Sequence, residues 1–356
     1  MSDALSDPAK AWIGGLAVGL IFGAFAQSSR FCLRSACIEF WRGSLGPKVA
    51  VWLFVFGTAL FAVQALMAAG RLPETEIRQL SAAGTMSGAI LGGLMFGVGM
   101  ILARGCASRL LVLSATGNLR ALVTGLLVTV IAQAALTGVL SPLREALSGL
   151  WIVGPETRNL MLYLPAGSGL ILGAGTVILA LALAWRHRLA WTTVAAAALV
   201  GGSVAAGWAF TAALAEVAFD PVPVGSVTFT GPSADTLMAL ITLPALEPEF
   251  GLGLVPGVFA GSFLMSVGRR EFKVQTFDAQ SGMRRYLAGA VLMGFGGMLA
   301  GGCAVGAGIT GGSVMSATAW VALLAMWIGA GAADALIDRR GAAGAAGVAP
   351  VTRSPI

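Results

Sequence analysis

The sequence predicts an all-α polytopic membrane protein with roughly nine transmembrane helices, additional short half-membrane helices and an internal pseudo-repeat. Of the 356 residues, 57% are hydrophobic and 11% are charged, whereas a soluble domain carries about 25% charged residues. The mean hydropathy is +0.87. So few charges cannot cover a water-exposed surface, which places the chain in a lipid bilayer. The 50 glycines are typical of this class, because glycine lets membrane helices approach closely.

A Gly-Cys sequence occurs twice, each time at the end of a glycine-rich apolar run. The copies read Gly97-Val-Gly-Met-Ile-Leu-Ala-Arg-Gly-Cys106-Ala107 and Gly294-Phe-Gly-Gly-Met-Leu-Ala-Gly-Gly-Cys303-Ala304, with seven of eleven positions identical. Many transporters are built from duplicated membrane segments. We therefore predict one transmembrane domain over residues 1–340, with repeat halves at about 12–140 and 250–337, and a disordered tail at 341–356.

Nine apolar runs approach the length of about 20 residues that a membrane span needs. They cover residues 12–27, 49–69, 86–103, 119–140, 160–185, 189–215, 251–267, 286–300 and 317–337. Three further runs, at 110–115, 237–246 and 309–316, are too short to cross alone. Basic stretches follow Gln27 and Val267, so positive-inside counting puts both on the same side. An inverted repeat would instead place them on opposite sides, and the sequence leaves these two expectations in conflict.

Small and polar residues follow both repeated cysteines, which predicts a break in each helix. A helix that stops inside the membrane leaves free backbone groups, and these are tolerated only inside protein or along a cavity. If a new half-helix begins there, its amide end favours an anion. We therefore predict half-helices that meet in mid-membrane at Cys106 and Cys303. The alternative is close packing alone, for which patterns such as Gly93–Gly97 suffice, but packing does not explain a cysteine in both copies.

Arg104 and Arg109 flank Cys106 and are candidate anion contacts, together with Gly105, Gly302 and Gly306. Buried arginines inside a membrane are functional by default. Alternatively, the run from residue 86 simply crosses the bilayer, because eighteen residues cover ~27 Å, and both arginines then end at the interface.

Several other chemistries lack support in the sequence. A single histidine, His187, lies in a basic loop, so we expect no metal site; no cofactor motif and no nucleic-acid signature appear. The main rival is a membrane thiol–disulfide or persulfide sulfur-transfer enzyme, which predicts paired cysteines, usually Cys-x-x-Cys. Here Cys32 and Cys37 are five residues apart and the repeated cysteines are each solitary. A purely structural or partner-binding protein is the third possibility.

Phe31-Cys32, Gly105-Cys106 and Gly302-Cys303-Ala-Val-Gly306, with the preceding glycine-rich helices, resemble the YeeE/YedE family of thiosulfate transporters. The resemblance extends from about residue 12 to 337. In that family three cysteines line a central path, and thiosulfate passes by successive hydrogen bonds to their thiols. By motif these are Cys32, Cys106 and Cys303. The first copy departs from the family's Gly-Cys-x-x-Gly, with Arg109 where glycine is expected.

The resemblance implies a permease for thiosulfate or a related sulfur or selenium species in the cell inner membrane, not an enzyme. It also implies a small soluble sulfur carrier of the TusA type as a partner. The chemistry agrees with this reading, because a neutral thiol is a weak donor. A weak donor binds an anion firmly enough to select it and loosely enough to release it. Cys37 has no role assigned by the motif.

Overall fold

The computed structural model describes residues 6–219, 222–242, 248–276 and 282–339. The predicted tail at 341–356 lies outside these residues. The longer helices are α1 (Asp7–Ser29), α2 (Leu33–Trp41), α3 (Pro47–Ala68), α4 (Met86–Leu102), α5 (Ala107–Ala115), α6 (Leu119–Leu136), α7 (Ser141–Gly149), α8 (Ser168–Arg186), α9 (Trp191–Val217), α10 (Thr230–Thr242), α11 (Phe250–Gly268), α12 (Met283–Leu299) and α13 (Ala317–Ala333).

Short elements fill the connections. Single helical turns lie at Glu74–Glu76, Arg78–Ser81, Pro155–Arg158, Leu160–Leu162 and Gly311–Ser313, and wider π-helical turns lie at Ala304–Thr310 and Asp334–Arg339. Strands β1 (Gly84–Thr85) and β2 (Ile152–Val153) form one antiparallel pair.

Among the described residues, nine helical segments are long and apolar enough to cross a membrane, which confirms the predicted fold class. Two predicted boundaries were wrong. In the run at 160–185 the long helix begins only at Ser168, because the preceding residues form the single turn Leu160–Leu162 and then a bend at Pro165. The run at 119–140 ends its helix at Leu136. The half-helix α2 was not predicted, because its charged residues lower the mean hydropathy of that segment.

Glycine lets the helices pack backbone against backbone. A Cβ placed on Gly19 would lie 2.4 Å from the carbonyl oxygen of Leu254, and one placed on Gly97 would lie 2.3 Å from that of Met326. The first contact joins α1 to α11 and the second joins α4 to α13, and both pairs run parallel. Any larger residue would push these helices apart, which explains why the transmembrane runs are so rich in glycine.

The order of elements in the first part of the chain recurs with reversed direction in the second part. The first set is α1, half-helix α2, α3, α4, the half-helix α5 after Cys106, and α6. The second set is α9, half-helix α10, α11, α12, the turns after Cys303, and α13. The repeated glycine-rich helices α4 and α12 are antiparallel, because Gly92 lies against Ala300 while Gly99 lies against Gly289. We infer an inverted repeat whose second half begins at α9.

This order removes the conflict between the two basic stretches. Arg30 at the end of α1 lies 3.7 Å from Glu271 at the end of α11, so both stretches lie on one side, as predicted. In the repeat that we infer, α1 corresponds to α9 and not to α11, so the two basic stretches are not repeat equivalents. We call this side the basic face, because it carries most of the described cations: Arg30, Arg34, Arg42, Lys48, Arg104, Arg120, Arg186, Arg188, Arg269, Arg270, Lys273, Arg284 and Arg285.

Candidate functional site

Three of the four cysteines stand at the same kind of position, immediately before a short helical segment. Cys32 precedes α2, Cys106 precedes α5 and Cys303 precedes the π-helical turn Ala304–Thr310. In each case the cysteine carbonyl accepts the first hydrogen bond of the new segment, at 3.3, 2.9 and 2.8 Å. The predicted helix breaks at Cys106 and Cys303 are therefore present, and Cys32 occupies a third one.

A residue with a left-handed backbone ends the long helix before each of these cysteines. These residues are Arg30 (φ 53°), Arg104 (φ 56°) and Gly301 (φ 80°). This conformation terminates a helix by turning the chain away from its axis. The next helical segment begins three residues later in each case, with the cysteine immediately before its first amide groups. Those amides and the helix dipole favour negative charge beside each thiol.

The thiols fall into two groups. The side chains of Cys32 and Cys106 lie close enough to interact with each other, and the sulfur of Cys106 lies 3.4 Å from the hydroxyl of Ser108. Cys303 belongs to the other half, where its sulfur accepts from the backbone N–H of Gly306 at 3.4 Å. Cys106 and Cys303 are each 1% exposed. The tertiary structure thus brings together two thiols that lie 74 residues apart in the sequence.

The two arginines beside Cys106 have different surroundings. Arg104 is exposed on the basic face, where its guanidinium carbon lies 6.0 Å from the ring centre of Tyr286. Arg109 turns inward from α5 and donates to Oε1 of Gln27 at 3.5 Å, close enough to Cys32 and Cys106 for its charge to act on both thiols. Of the two arginines that flank Cys106, it is therefore Arg109 that lies beside the cysteine side chains.

The three glycines of the motif also differ. Gly302 has φ 154°, and a Cβ there would lie 2.8 Å from the backbone nitrogen of Ala307. A Cβ on Gly306 would collide with the side chain of Thr228 at 2.1 Å. Gly105 is less restricted, since its nearest neighbour would be a side-chain atom of Leu110 at 3.4 Å. The backbone around the second Gly-Cys copy therefore leaves less room for a side chain than the backbone around the first copy.

A cavity of about 770 Å³ opens on the face opposite the basic one and reaches Gly301 and Gly302, immediately before Cys303. We call it the vestibule. Its lining includes Arg78, Arg144 and Arg158. Arg158 is held by the carbonyl of Ala82 at 2.6 Å. Burial, followed by the nearby charge of Arg78, lowers the pKa of the Arg158 guanidinium from its ordinary value. Such clustered cations attract anions.

A second, smaller pocket of about 300 Å³ lies on the basic face beside the end of α1. Its lining includes Arg30, Lys48 and Arg269 together with the serines at 28 and 29. Sequence reasoning missed both pockets, because their cations come from loops that are distant in the chain. Positive charge therefore stands at both ends of the protein, with the cysteines between them.

Other candidates lie elsewhere. Cys37 is fully buried among apolar side chains of the core. His187 is exposed, and its Nε2 atom lies 2.7 Å from the carbonyl oxygen of Leu45. Within the described residues, no group of three or more His, Cys, Asp or Glu side chains could hold a metal ion.

Comparison with known proteins places this arrangement in a family. The model of the sulphur transport family matches residues 28–332, which include all three cysteine positions. The thiosulfate transporter TsuA of Escherichia coli (strain K12) is 26% identical over 344 residues, covering 91% of this chain and 94% of that protein. TsuA of Spirochaeta thermophila is 25% identical over 330 residues, covering 88% and 96%. The chain belongs to the sulphur transport, or YeeE/YedE, family and is similar along most of its length to proteins named as thiosulfate transporters.

Proposed function

We propose that this protein is a permease that imports thiosulfate, or a related sulfur-containing anion, along a central path lined by Cys32, Cys106 and Cys303. One observation carries the proposal: all three thiols stand at the amide end of a short helical segment that begins inside the transmembrane domain. The names of the two relatives support the substrate class.

The arrangement suits a dianion that must bind and then leave. Helix amide ends and the inward-facing Arg109 supply positive potential, while neutral thiols supply weak hydrogen bonds. Several weak sites in series are what conduction requires, because a single strong site would trap the ion. The vestibule provides a cationic entrance and the basic-face pocket a cationic exit.

The distribution of charge supports an orientation. Lysine and arginine concentrate on the cytoplasmic side of membrane proteins. We therefore place the basic face in the cytoplasm and the vestibule outside, with the protein in the cell inner membrane. A soluble sulfur carrier of the TusA type would then receive the anion at the basic face.

Uptake of labelled thiosulfate into cells that lack other importers tests the proposal, with sulfite, sulfate and selenite as competitors. We expect Cys32→Ala, Cys106→Ala and Cys303→Ala each to abolish uptake and thiosulfate-dependent growth. Cys37→Ala is the matched control, and it should retain uptake because its thiol is enclosed by the core. Normal uptake by a variant with all three path cysteines replaced would falsify the proposal.

A second candidate function rests on the closeness of the Cys32 and Cys106 side chains. Two adjacent thiols could exchange sulfur or electrons, as in a membrane thiol–disulfide or persulfide enzyme. The permease requires both to remain reduced. Thiol labelling during turnover separates the two: a cycling Cys32–Cys106 disulfide or persulfide supports the enzyme, and constant free thiols support the permease.

A further inference from the structure

We infer that Thr230 is a fourth contact for the permeating anion and that its hydroxyl occupies, in the second half, the place that the Cys32 thiol occupies in the first. This inference rests on the proposed transport function and extends it, because it identifies a specificity-determining residue that is not a cysteine. Three independent observations lead to it: a local sequence match, the position of the segment, and an unpartnered buried hydroxyl.

The sequence match links two half-helices. Residues Phe31-Cys32-Leu-Arg-Ser35-Ala36 enter α2, and residues Phe229-Thr230-Gly-Pro-Ser233-Ala234 enter α10. Phenylalanine, serine and alanine are identical at the same spacing, and Thr230 aligns with Cys32. The inverted order of elements pairs the same two half-helices, α2 after α1 and α10 after α9. Helix α10 begins one residue earlier than the alignment alone implies.

The segment before Thr230 lies against the Cys303 turn. The hydroxyl of Thr310 donates to the carbonyl of Val227 at 2.5 Å. One residue later, the side chain of Thr228 fills the space beside Gly306, whose N–H donates to the sulfur of Cys303. These contacts fix the amide end of α10 beside the amide end of the Cys303 segment. The two ends therefore add their positive potential in one place.

Thr230 itself has the features of a ligand contact. It is 2% exposed, and its hydroxyl has no hydrogen-bond partner among the described residues. As the first residue of α10, it has no carbonyl in a preceding helical turn to which it could donate, unlike Thr236, which donates to Pro232 at 2.6 Å. A buried hydroxyl without a partner is costly and rare. An anion oxygen would supply the missing acceptor.

Two cavities give a ligand access to Thr230. Thr230 lines the vestibule together with Gly301 and Gly302. It also lines a smaller cavity of about 150 Å³ between α5, α6 and α10, beside Ala107, the residue after Cys106. It therefore lies where the vestibule comes closest to the first Gly-Cys segment. Its hydroxyl therefore stands between the two cavities, on the side of the vestibule that faces the Cys106 segment.

The chemical class of the ligand follows from the two kinds of hydrogen-bond donor on the proposed path, hydroxyl and thiol. A hydroxyl is a stronger donor than a thiol and suits the oxygens of a sulfonate group, whereas thiols suit a polarizable terminal sulfur. A path with three thiols and one hydroxyl therefore matches an anion that presents both, such as thiosulfate. Sulfate offers only oxygens and should be a poorer substrate.

Thr230→Val tests the inference, since valine keeps the shape and removes the hydroxyl. Losing a hydrogen bond to a charged ligand should reduce the initial rate of thiosulfate uptake in proteoliposomes by about tenfold or more and raise KM. Thr230→Ser and Thr230→Cys keep a donor and should stay within about threefold of wild type. Thr236→Val on the same helix is the matched control, expected to transport like wild type.

Two outcomes would overturn the inference. In the first, Thr230→Val transports like wild type; in the second, Thr230→Ser fails as badly as Thr230→Val, which would assign the residue to packing against Gly297. Labelling of Thr230→Cys by a charged methanethiosulfonate, measured against the wild-type background, requires no transport. More labelling than in the wild-type protein supports a water-accessible position of residue 230 on the path, and labelling equal to that of the wild type contradicts the inference. If the wild-type protein does not take up thiosulfate, the proposed function is wrong. The labelling result still shows whether residue 230 is accessible to water, because labelling does not depend on transport.

Discussion

Gln27, at the end of α1, donates from its side-chain nitrogen to a carboxylate oxygen of Glu271 at 3.0 Å, across 244 residues of sequence. The other end of the same amide accepts from Arg109. Glu271 also lies 3.7 Å from Arg30 and 3.6 Å from Arg269. A chain of polar contacts thus leads from Arg109, which lies near the Cys32 and Cys106 thiols, to the basic face. It joins α1, α5 and the end of α11, which belong to both halves of the protein.

The first prediction concerns the two arginines that flank Cys106. Arg109→Gln removes the positive charge near the Cys32 and Cys106 thiols, so we expect thiosulfate uptake to fall by about tenfold or more. Arg104→Gln removes a charge that is exposed at the interface, so its uptake should stay within about twofold of wild type. Initial uptake rates at equal amounts of membrane-inserted protein make the comparison. Equal losses in the two variants would contradict a specific role for Arg109.

The second prediction uses the two equivalent glycines before the repeated cysteines. Gly302→Ala forces a side chain onto φ 154° and against the nitrogen of Ala307, and we expect a loss of stability of about 2–4 kcal/mol. Gly105→Ala meets only a side-chain atom at 3.4 Å, so its cost should stay below about 1 kcal/mol. Thermal unfolding in detergent measures the difference. If both variants unfold at the same temperature, the second copy is not the more constrained one.

The third prediction concerns the pairing between α2 and the end of α13. Asp334 is fully buried and accepts two hydrogen bonds from Arg42, at 2.7 and 3.1 Å. Asp334→Asn removes the charge from a buried acceptor, so we expect the protein to lose about 2 kcal/mol of stability. Glu145→Gln, which breaks an exposed pair with Arg144 at 3.4 Å, should change stability by less than about 0.5 kcal/mol. The unfolding midpoints of the purified variants are compared. An Asp334 variant as stable as the Glu145 variant would show that this bond does not secure α2.

Local sequence was sufficient to predict the long helices and the breaks at Cys106 and Cys303. Apolar length indicates a span directly, since each span must bury its backbone in lipid. Half-helices are too short to be recognised by apolar length. Helix α2 carries Arg34 and Glu39 and is only nine residues long, so it resembles a loop. The half-helix that begins at Thr230 was seen only as a short apolar run further on, although the shared Phe-x-x-x-Ser-Ala pattern was available in the sequence.

Other relationships depend on how the halves fold together. The sequence gives no sign that the Cys32 side chain lies near that of Cys106, or that Arg109 turns inward while Arg104, five residues before it, stays at the interface. A one-dimensional hydropathy profile treats both arginines as the end of a span. Their difference arises because the left-handed residue Arg104 ends α4 at the basic face, whereas Arg109 lies on α5, which packs among α1, α6 and α11.

The sequence by itself determined the membrane class, the positions of the nine long helices, the duplicated Gly-Cys and the three cysteines of the family motif. These properties are local, because hydropathy and repeated residues act over a helix or less. Only the tertiary structure decided which helices correspond between the halves, which thiols meet, and which polar groups converge on them. Those relationships depend on glycine-lined contacts between helices hundreds of residues apart, and no local pattern records the direction in which a neighbouring helix runs.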